Sequence, residues 1–262
     1  MNLPYQTFSI IIPVLDEAAT INQVLTQARR VMAGHPAEII VVDGSPGGDT
    51  IRVIHVPQVK TIIAPCGRAN QMNAGAREAT GDILIFLHAD TQLPDQAPGH
   101  IARVMHQQKY VAGAFDLGLD SNRPGLSLIR LVGSLRSRLT RIPYGDQAIF
   151  IRRDYFCSIG GFSPIPLMED VALMRRIKRR GHKICILPDR VKTSSRRWAK
   201  EGLVYTTLRN WSLRILYFFG TSPDLLVKQY RNHSQPGQPR YAALARFFFG
   251  TLWERARERW RW

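Results

Sequence analysis

The chain has 262 residues, 45% of them hydrophobic and 21% charged, so it is long enough for one large α/β domain or two small ones with a full core. Its three cysteines lie far apart, without the spacing of a zinc site, which argues against a disulfide scaffold and favours a reducing compartment. The formal net charge of +16 admits three kinds of partner: nucleic acid, an anionic membrane surface or phosphorylated small molecules.

Strands and helices alternate through the first half of the chain, which is the pattern of a doubly wound, mostly parallel α/β sheet. The predicted strands are apolar, β-branched segments bounded by turn residues, and the predicted helices carry one apolar face. The strands are predicted at residues 8–14, 38–42, 60–64 and 83–87, and the helices between them at 20–32 and 69–79.

Carboxylates follow three of these strands: Asp16 and Glu17 follow the first, Asp43 the second and Asp90 the fourth. The ends of neighbouring parallel strands meet at one crevice, where open α/β sheets bind ligands. Several carboxylates in one crevice repel each other, and a divalent cation with a nucleotide would offset that repulsion. The alternative for Asp43 is a turn-forming residue without a ligand.

His88 and Asp90 stand two residues apart at the end of the fourth strand. Residues i and i+2 of a strand point to the same face, so both side chains could reach one cation or phosphate. Arg68, which precedes the second predicted helix, could bind a pyrophosphate with two hydrogen bonds. The plainer interpretations are a capping Asp, a surface His and a solvated Arg.

The glycine-rich turn after Asp43 lacks the spacing of the common phosphate-binding loops. No GxGxxG follows the first strand, and GxxxxGK[ST] is absent from the chain. A nicotinamide-dependent enzyme and a P-loop enzyme are therefore not expected. A nucleotidyltransferase would have a glycine-rich loop directly after the first strand, where residues 13–17 contain no glycine.

Several short motifs, taken in order, resemble glycosyltransferase family 2. They stand at residues 9–17, 41–45, 67–76, 86–91, 144–150, 160–162, 168–171 and 194–198. The resemblance covers about residues 8–230 and implies a GT-A fold, a Rossmann-like sheet flanked by helices. It also implies a sugar nucleotide donor, mostly UDP-linked, a Mg²⁺ or Mn²⁺ cofactor and inversion at the anomeric carbon. The set is similar to a small bacterial subgroup whose metal motif reads His-Ala-Asp.

The resemblance also assigns residues to substrate and metal. Asp90 matches the last Asp of the family's DxD motif and would bind the metal. His88 replaces the first Asp of that motif, and imidazole is a competent Mn²⁺ ligand. The residues implied to bind substrate are Pro13, Asp16, Glu17, Asp43, Gly44, Ser45, Arg68, Asn73, His88, Ala89, Gln147, Glu169, Arg196, Arg197 and Trp198.

Asp170 matches the Asp of the family's Glu-Asp motif, which is the usual catalytic base. It directly precedes a helix predicted at 171–180, and a carboxylate is favoured at a helix N-terminus. A plain helix cap is the alternative. Asp146, just before a predicted strand at 148–151, is the second candidate for the base or for acceptor contact.

The second half of the chain carries most of the basic residues. Ten Lys or Arg lie between Arg175 and Arg197 against one acid, and eight lie between Lys228 and the end against two. Residues 122–141 alternate apolar and basic side chains at helical spacing, and residues 241–262 repeat the pattern. Core helices are the default interpretation. Peripheral attachment to an anionic bilayer, with a lipid-like acceptor, is the alternative.

No signal-peptide pattern begins the chain, and its apolar segments are too short to span about 30 Å of hydrocarbon. We therefore expect a cytoplasmic protein, either dissolved or attached to the inner face of the plasma membrane. We predict a glycosyltransferase domain over residues 1–230, with a nucleotide-binding half at 1–95 and an acceptor half at 96–230, and a basic tail at 231–262. The competing functions are a non-catalytic nucleotide-sugar sensor and a nucleic-acid-binding protein, although carboxylates at the strand ends would repel a phosphate backbone.

Overall fold

The computed structural model describes residues 6–121, 123–232, 244–245, 247–251 and 253. The chain forms two compact units: one comprises residues 1–164 and 169–194, the other residues 165–168 and 195–262. The predicted boundary at residue 230 therefore falls inside the second unit. The predicted basic tail at 231–262 lies largely outside the described residues.

The first unit contains a seven-stranded, mostly parallel sheet, as predicted, and a short two-stranded ribbon. Its strands are β1 (Phe8–Val14), β2 (Ala37–Asp43), β3 (Val59–Ile63), β4 (Ile83–Phe86), β5 (Thr91–Gln92), β6 (Tyr110–Asp116), β7 (Ile149–Arg152), β8 (Lys183–Arg190) and β9 (Lys192–Thr193). The large sheet has the order β3-β2-β1-β4-β7-β6-β8, and only β7 runs antiparallel to its neighbours β4 and β6. β5 and β9 form the ribbon.

Helices cover both faces of this sheet. In the first unit they are α1 (Ile21–Val31), α2 (Arg68–Glu78), α3 (Ala97–His106), α4 (Pro124–Thr140), α5 (Arg153–Ser158) and α6 (Glu169–Arg179). The predicted strands and helices of the first half are confirmed to within two residues at each end. α6 begins two residues earlier than predicted, so Glu169 and Asp170 belong to its first turn.

Alternate residues of β1 enter the two halves of the core, because successive strand side chains point to opposite faces of a sheet. Ile10 and Ile12 pack in the cluster with α1 and α3, whereas Ile11 packs in the cluster with α2 and α6. All three are fully buried. Covering on both faces explains why the central strands read as continuous apolar runs.

The second unit contains α7 (Arg196–Glu201), α8 (Leu203–Phe218) and α9 (Pro223–Asn232). Arg209 of α8 is completely buried, and its Nη1 lies 2.6 Å from Oε2 of Glu201. The Tyr230 ring of α9 lies 4.7 Å from the same guanidinium. These contacts join the three helices into a unit of their own. In the part of the chain that the structure describes, no helix is long and apolar enough to span a membrane.

Candidate active site

The loop after β2 is organised by Asp43, which is fully buried. Its Oδ1 accepts a hydrogen bond from the Ser45 backbone N–H at 2.8 Å, and its Oδ2 accepts one from the Thr50 N–H at 3.0 Å. Ser45 Oγ in turn accepts from the Asp49 N–H at 3.0 Å. The carboxylate thus fixes the shape of the glycine-rich turn, which is the turn-forming role considered above. Contact between Asp43 and a nucleotide remains a prediction.

A buried glutamine joins the carboxyl ends of β1 and β2. Nε2 of Gln71, on α2, donates to the carbonyl oxygens of Val14 and Val42 at 2.7 and 2.8 Å. A Cβ on Gly44 would lie 3.0 Å from the Gln71 amide, so glycine at this position lets the loop lie against it. Gln71 therefore sets the spacing of the two strand ends beneath the predicted nucleotide crevice.

The carboxyl end of β1 carries Pro13 in the strand and Asp16 and Glu17 in the turn after it. Asp16 is exposed and has a left-handed backbone, with φ 57°. The Glu17 backbone N–H donates to Oγ1 of Thr50 at 3.2 Å. The first two strand-end turns are therefore joined directly, as the crevice prediction requires.

The end of β4 presents His88, Ala89 and Asp90. Ala89 is buried, His88 is half-buried, and the Asp90 side chain is exposed. The backbone here is held from two sides: the Thr91 N–H donates to the His88 carbonyl at 3.0 Å, and the Ser194 N–H donates to the Asp90 carbonyl at 3.0 Å. The Asp90 side chain is thus carried by a fixed backbone, and its Oδ1 accepts from Thr91 Oγ1 at 3.3 Å. Metal binding by this exposed carboxylate remains a prediction.

Gly145 lies between His88 and Asp170 and brings them together. Its backbone N–H donates to Asp170 Oδ2 at 2.7 Å. A Cβ on Gly145 would lie 2.7 Å from Nε2 of His88 and 3.7 Å from Asp170 Oδ2. The other carboxylate oxygen of Asp170 accepts from the Val171 N–H at 2.6 Å. His88, from the predicted metal motif, and Asp170, the predicted base, therefore lie in one small site.

Glu169, beside Asp170, is 6% exposed. Burial and, to a smaller extent, the negative charge of Asp170 raise the pKa of its carboxyl to about 7, against the opposing positive charge of Arg68. Glu169, at the start of α6, is therefore close enough to Arg68, at the start of α2, for the two charges to interact.

Two side chains that were predicted to bind substrate, Asn73 and Gln147, form hydrogen bonds with the protein backbone. Asn73 Nδ2 donates to the Phe162 carbonyl at 2.8 Å, and its Oδ1 accepts from the Phe162 N–H at 2.9 Å. Gln147 is buried, and its Nε2 donates to the Phe115 carbonyl at 2.7 Å. In this structure both residues position loops around the site, and their contact with substrate stays a prediction.

Asp146 lies half-buried in the short 3-10 turn Gly145–Gln147, next to the Gly145 contact. Arg196 and Trp198 lie on α7 in the second unit, Arg196 exposed and Trp198 half-buried. The side chain of Arg197 lies outside the described part of the chain. Contact of these three α7 residues with substrate remains a prediction.

The donor set at the end of β4 is small. Among the described residues, no group of three or more His, Cys, Asp or Glu side chains is arranged to hold a metal ion. An exposed Asp90 and a neighbouring imidazole still fit a cation of the Mg²⁺ type, because that ion is commonly bound by one or two carboxylates and completed by substrate phosphates and water.

The sequence profile of Glycosyl transferase family 2 matches residues 9–165, which is more than half of the 262-residue chain. The chain belongs to glycosyltransferase family 2. The match contains β1, β2 and β4 with the polar residues at their carboxyl ends, as well as Gly145. The enzyme is therefore a glycosyltransferase. No curated protein sequence matches it significantly.

Solved structures show that the transferase has the GT-A fold. A mannosyltransferase from Pyrobaculum calidifontis, solved with GDP-Man and Mn²⁺, is 19% identical, with a TM-score of 0.59 over 95% of this chain and 74% of its own. TarS of S. aureus is 16% identical, with a TM-score of 0.56 over 80% of this chain and 40% of its own. At these identities the likeness concerns the fold.

Two positioning residues of the transferase were not predicted as site residues. Gln71 has a detectable signal: it is a long polar side chain on the helix face that also carries Ala74 and Gly75, both buried. A polar residue among buried small ones must find partners inside the protein. Gly145 has no such signal, because the sequence does not show what a side chain there would meet.

Proposed function

We propose that the transferase moves a sugar, with inversion, from a UDP-linked donor to a hydroxyl acceptor, and that Asp170 is the general base. The observation that carries the proposal is the convergence of His88, Gly145 and Asp170 in one site at the end of β4. An inverting transfer needs one base on the acceptor side, and Asp170 is a carboxylate that Gly145 holds beside His88.

The orientation of Asp170 supports this role. Backbone N–H groups of Gly145 and Val171 each hold one of its oxygens. A carboxylate oxygen has two acceptor sites, so each oxygen retains capacity for a hydroxyl donor. Backbone N–H groups keep the carboxylate in one orientation, and they do not ionise near neutral pH. Both properties suit a general base.

In the proposed step the acceptor hydroxyl oxygen bonds to the anomeric carbon as the bond between that carbon and the diphosphate oxygen breaks. Asp170 takes the hydroxyl proton, and the nucleoside diphosphate leaves with the bonding electron pair. Arg68, at the N-terminus of α2, is proposed to bind the negative diphosphate, and the positive end of the helix dipole would add to its charge.

Asp90 and His88 are the residues proposed to hold a divalent cation. A bound Mn²⁺ or Mg²⁺ would supply positive charge to the leaving diphosphate. A structural relative was solved with GDP-Man and Mn²⁺, which supports a nucleotide-sugar donor and a divalent cation here. It also makes GDP the first nucleotide to compare with UDP. The subgroup with His-Ala-Asp at the metal motif stays part of the proposal.

The nucleotide pocket is proposed from the strand-end turns: Pro13, Asp16, Glu17, Asp43, Gly44 and Ser45. Asp146 is the second candidate for acceptor contact, and Arg196, Arg197 and Trp198 are candidates to contact the diphosphate or acceptor. A lipid-like acceptor at the inner face of the plasma membrane is proposed on the net charge of +16 and on the exposed leucines of α4. A non-catalytic sensor would keep donor binding and lack turnover.

The test is nucleotide release from UDP- and GDP-sugars with Mn²⁺ and a panel of hydroxyl acceptors. We expect Asp170→Asn to lower turnover by on the order of 10²- to 10⁴-fold, because the proton acceptor is lost, while donor affinity is unchanged. Asp95→Asn, at an exposed carboxylate paired with Arg30, is the matched control. Full turnover in Asp170→Asn would reject Asp170 as the base, and absence of turnover in every pair would favour the sensor.

A further inference from the structure

Helix α4 turns its leucines towards solvent. Four leucines at helical spacing lie on one face of it and are 54–74% exposed: Leu128, Leu131, Leu135 and Leu139. The opposite face, which packs against the sheet, carries Leu126 and the buried serines Ser134 and Ser137. This is the reverse of an ordinary surface helix, whose apolar face is buried. The default prediction of a core helix for residues 122–141 is therefore wrong for these leucines.

The inward face of α4 is polar because it holds neighbouring backbone and side chains. Ser134 Oγ accepts from the Leu117 N–H at 3.2 Å, and Ser137 Oγ accepts from Gln147 Nε2 at 3.1 Å. A Cβ on Gly133 would lie 3.0 Å from the Leu117 side chain, so the helix lies close to the segment after β6. These contacts fix α4 in the orientation that leaves its leucines outside.

The segment that carries this face is strongly basic. Between Asp120 and Asp146 it contains five arginines and no acidic residue: Arg123, Arg130, Arg136, Arg138 and Arg141. Arg138 is paired with Asp116 through two hydrogen bonds of 3.0 and 2.6 Å. Arg136 donates to the Ile142 carbonyl and to Gln147. Arg123 and Arg141, at the two ends of α4, are exposed.

We infer that the leucine face of α4 (Leu128, Leu131, Leu135 and Leu139) docks on the surface of an anionic lipid bilayer. This face has an exposed arginine at each end of the helix, Arg123 and Arg141. An apolar helix face next to exposed basic residues is the pattern of a helix that lies in the bilayer interface, with leucines among the acyl chains and arginines at the anionic headgroups. A second copy of this chain is disfavoured because the same arginines would face each other in a chain of net charge +16. Nucleic acid would contact the arginines and leave the leucines uncovered.

The docking face is connected to the candidate active site through the 3-10 turn. The Arg136 guanidinium lies 3.3 Å from the centre of the Tyr144 ring, and its Nη2 donates to Gln147 Oε1 at 3.4 Å. Gly145, between those two residues, donates to Asp170. A bilayer bound to α4 would hold that turn near the lipid surface. If the proposed function holds, the acceptor it favours is a hydroxyl-bearing amphiphile within the bilayer.

The test is co-sedimentation of the full chain with phosphatidylcholine vesicles, with and without phosphatidylglycerol. We expect binding to the phosphatidylglycerol vesicles that weakens with added salt, and at least about tenfold weaker binding in Leu131→Gln/Leu135→Gln. Val53→Gln/Ile63→Gln, at two exposed apolar residues away from α4, is the matched control and should bind like wild type. Arg123→Gln/Arg141→Gln, at the two exposed ends of α4, should lose part of the preference for phosphatidylglycerol.

Three results would overturn the inference: no vesicle binding by wild type, wild-type binding by Leu131→Gln/Leu135→Gln, or a wild-type dimer in solution that dissociates in that variant. Nucleotide binding is measured on the same variants without vesicles. Loss of vesicle binding in Leu131→Gln/Leu135→Gln, with nucleotide binding intact, would support docking through α4 and would show that the variant is still folded. Intact vesicle binding in a wild-type protein that binds no nucleotide would reject the proposed function and leave the docking face in place.

Discussion

At the scale of single residues, the site depends on Gly145 having no side chain. Its φ is not in the left-handed region, so the backbone allows alanine. The constraint is the His88 imidazole, because its Nε2 lies 2.7 Å from where the alanine Cβ would be. A methyl group must displace that ring or the hydrogen bond to Asp170. Both partners of the proposed chemistry are therefore sensitive to one atom.

We expect Gly145→Ala to reduce turnover by on the order of 10²-fold, because misplacement of reacting groups by about 1 Å has that effect. The matched control is Gly99→Ala in α3, where a Cβ meets nothing within 4 Å. That change should leave turnover intact and stabilise the helix by about 0.5–1 kcal/mol. Steady-state kinetics and thermal melts on both variants check the prediction, and equal turnover in the two would contradict it.

Glu169 gives the unliganded protein a pH-dependent stability. Its pKa is raised by burial and by Asp170 to about 7, so between the ordinary value of 4.5 and about 7 the folded state binds more protons than the unfolded state. Stability from this group is then complete below 4.5 and is lost as the pH rises through 7. A shift of this size corresponds to at most about 3 kcal/mol.

We expect Glu169→Gln to remove this contribution, because a neutral amide needs no proton. Urea unfolding at a series of pH values should show that the stability of wild type relative to Glu169→Gln falls between pH 4.5 and 7. Glu78→Gln is the control, since that exposed carboxyl pairs with Lys60 and its pKa is lowered by Lys60. A constant difference between wild type and Glu169→Gln would contradict the prediction.

At the scale of elements, Gln71 of α2 ties β1 to β2. Replacing it by methionine keeps the length and removes both hydrogen bonds to the carbonyls of Val14 and Val42. We expect Gln71→Met to lower the free energy of unfolding by about 1–3 kcal/mol, because each of those buried carbonyls loses one hydrogen-bond donor. Gln23→Met at an exposed position of α1 should change it by no more than about 0.5 kcal/mol. Denaturant unfolding of both variants is the measurement.

The elements of the first half were predictable because their signals are local. Continuous apolar segments such as residues 83–87 end at turn formers, and α1 has a regular apolar face. The position of β7 was not predictable: it follows α4 in sequence yet inserts between β4 and β6 as the antiparallel strand. Strand order depends on packing between distant segments, which a local pattern does not contain.

The candidate site divides in the same way. Asp43, Asp90 and Asp170 could be proposed from strand ends and motifs, because polar residues after buried strands are visible in sequence. The contact of Gly145 with His88 and the orientation of α4 required the fold. For α4 the helical period was evident, but which face is buried is decided by the serines that bind Leu117 and Gln147.

At the scale of the whole molecule, charge is divided between two tasks. The turns after β1, β2 and β4 carry Asp16, Asp43 and Asp90, and this negative charge favours a cation near the strand ends. Arginines instead dominate α4 and the segment 175–197. A uniformly basic surface would fit nucleic acid. Acidic strand ends within a protein of net charge +16 instead fit a metal-bound diphosphate in the crevice and an anionic surface outside it.

The most direct test of this account is isothermal titration of UDP, with GDP in parallel, in the presence and absence of Mn²⁺. Wild type and Asp90→Ala are compared, with Asp95→Ala as the control at an exposed carboxylate. We expect Mn²⁺-dependent nucleotide binding by wild type and the control, weakened more than about tenfold in Asp90→Ala, because Asp90 is the carboxylate proposed to hold the metal. Nucleotide binding that ignores both Mn²⁺ and Asp90, or no binding of either nucleotide, would contradict it.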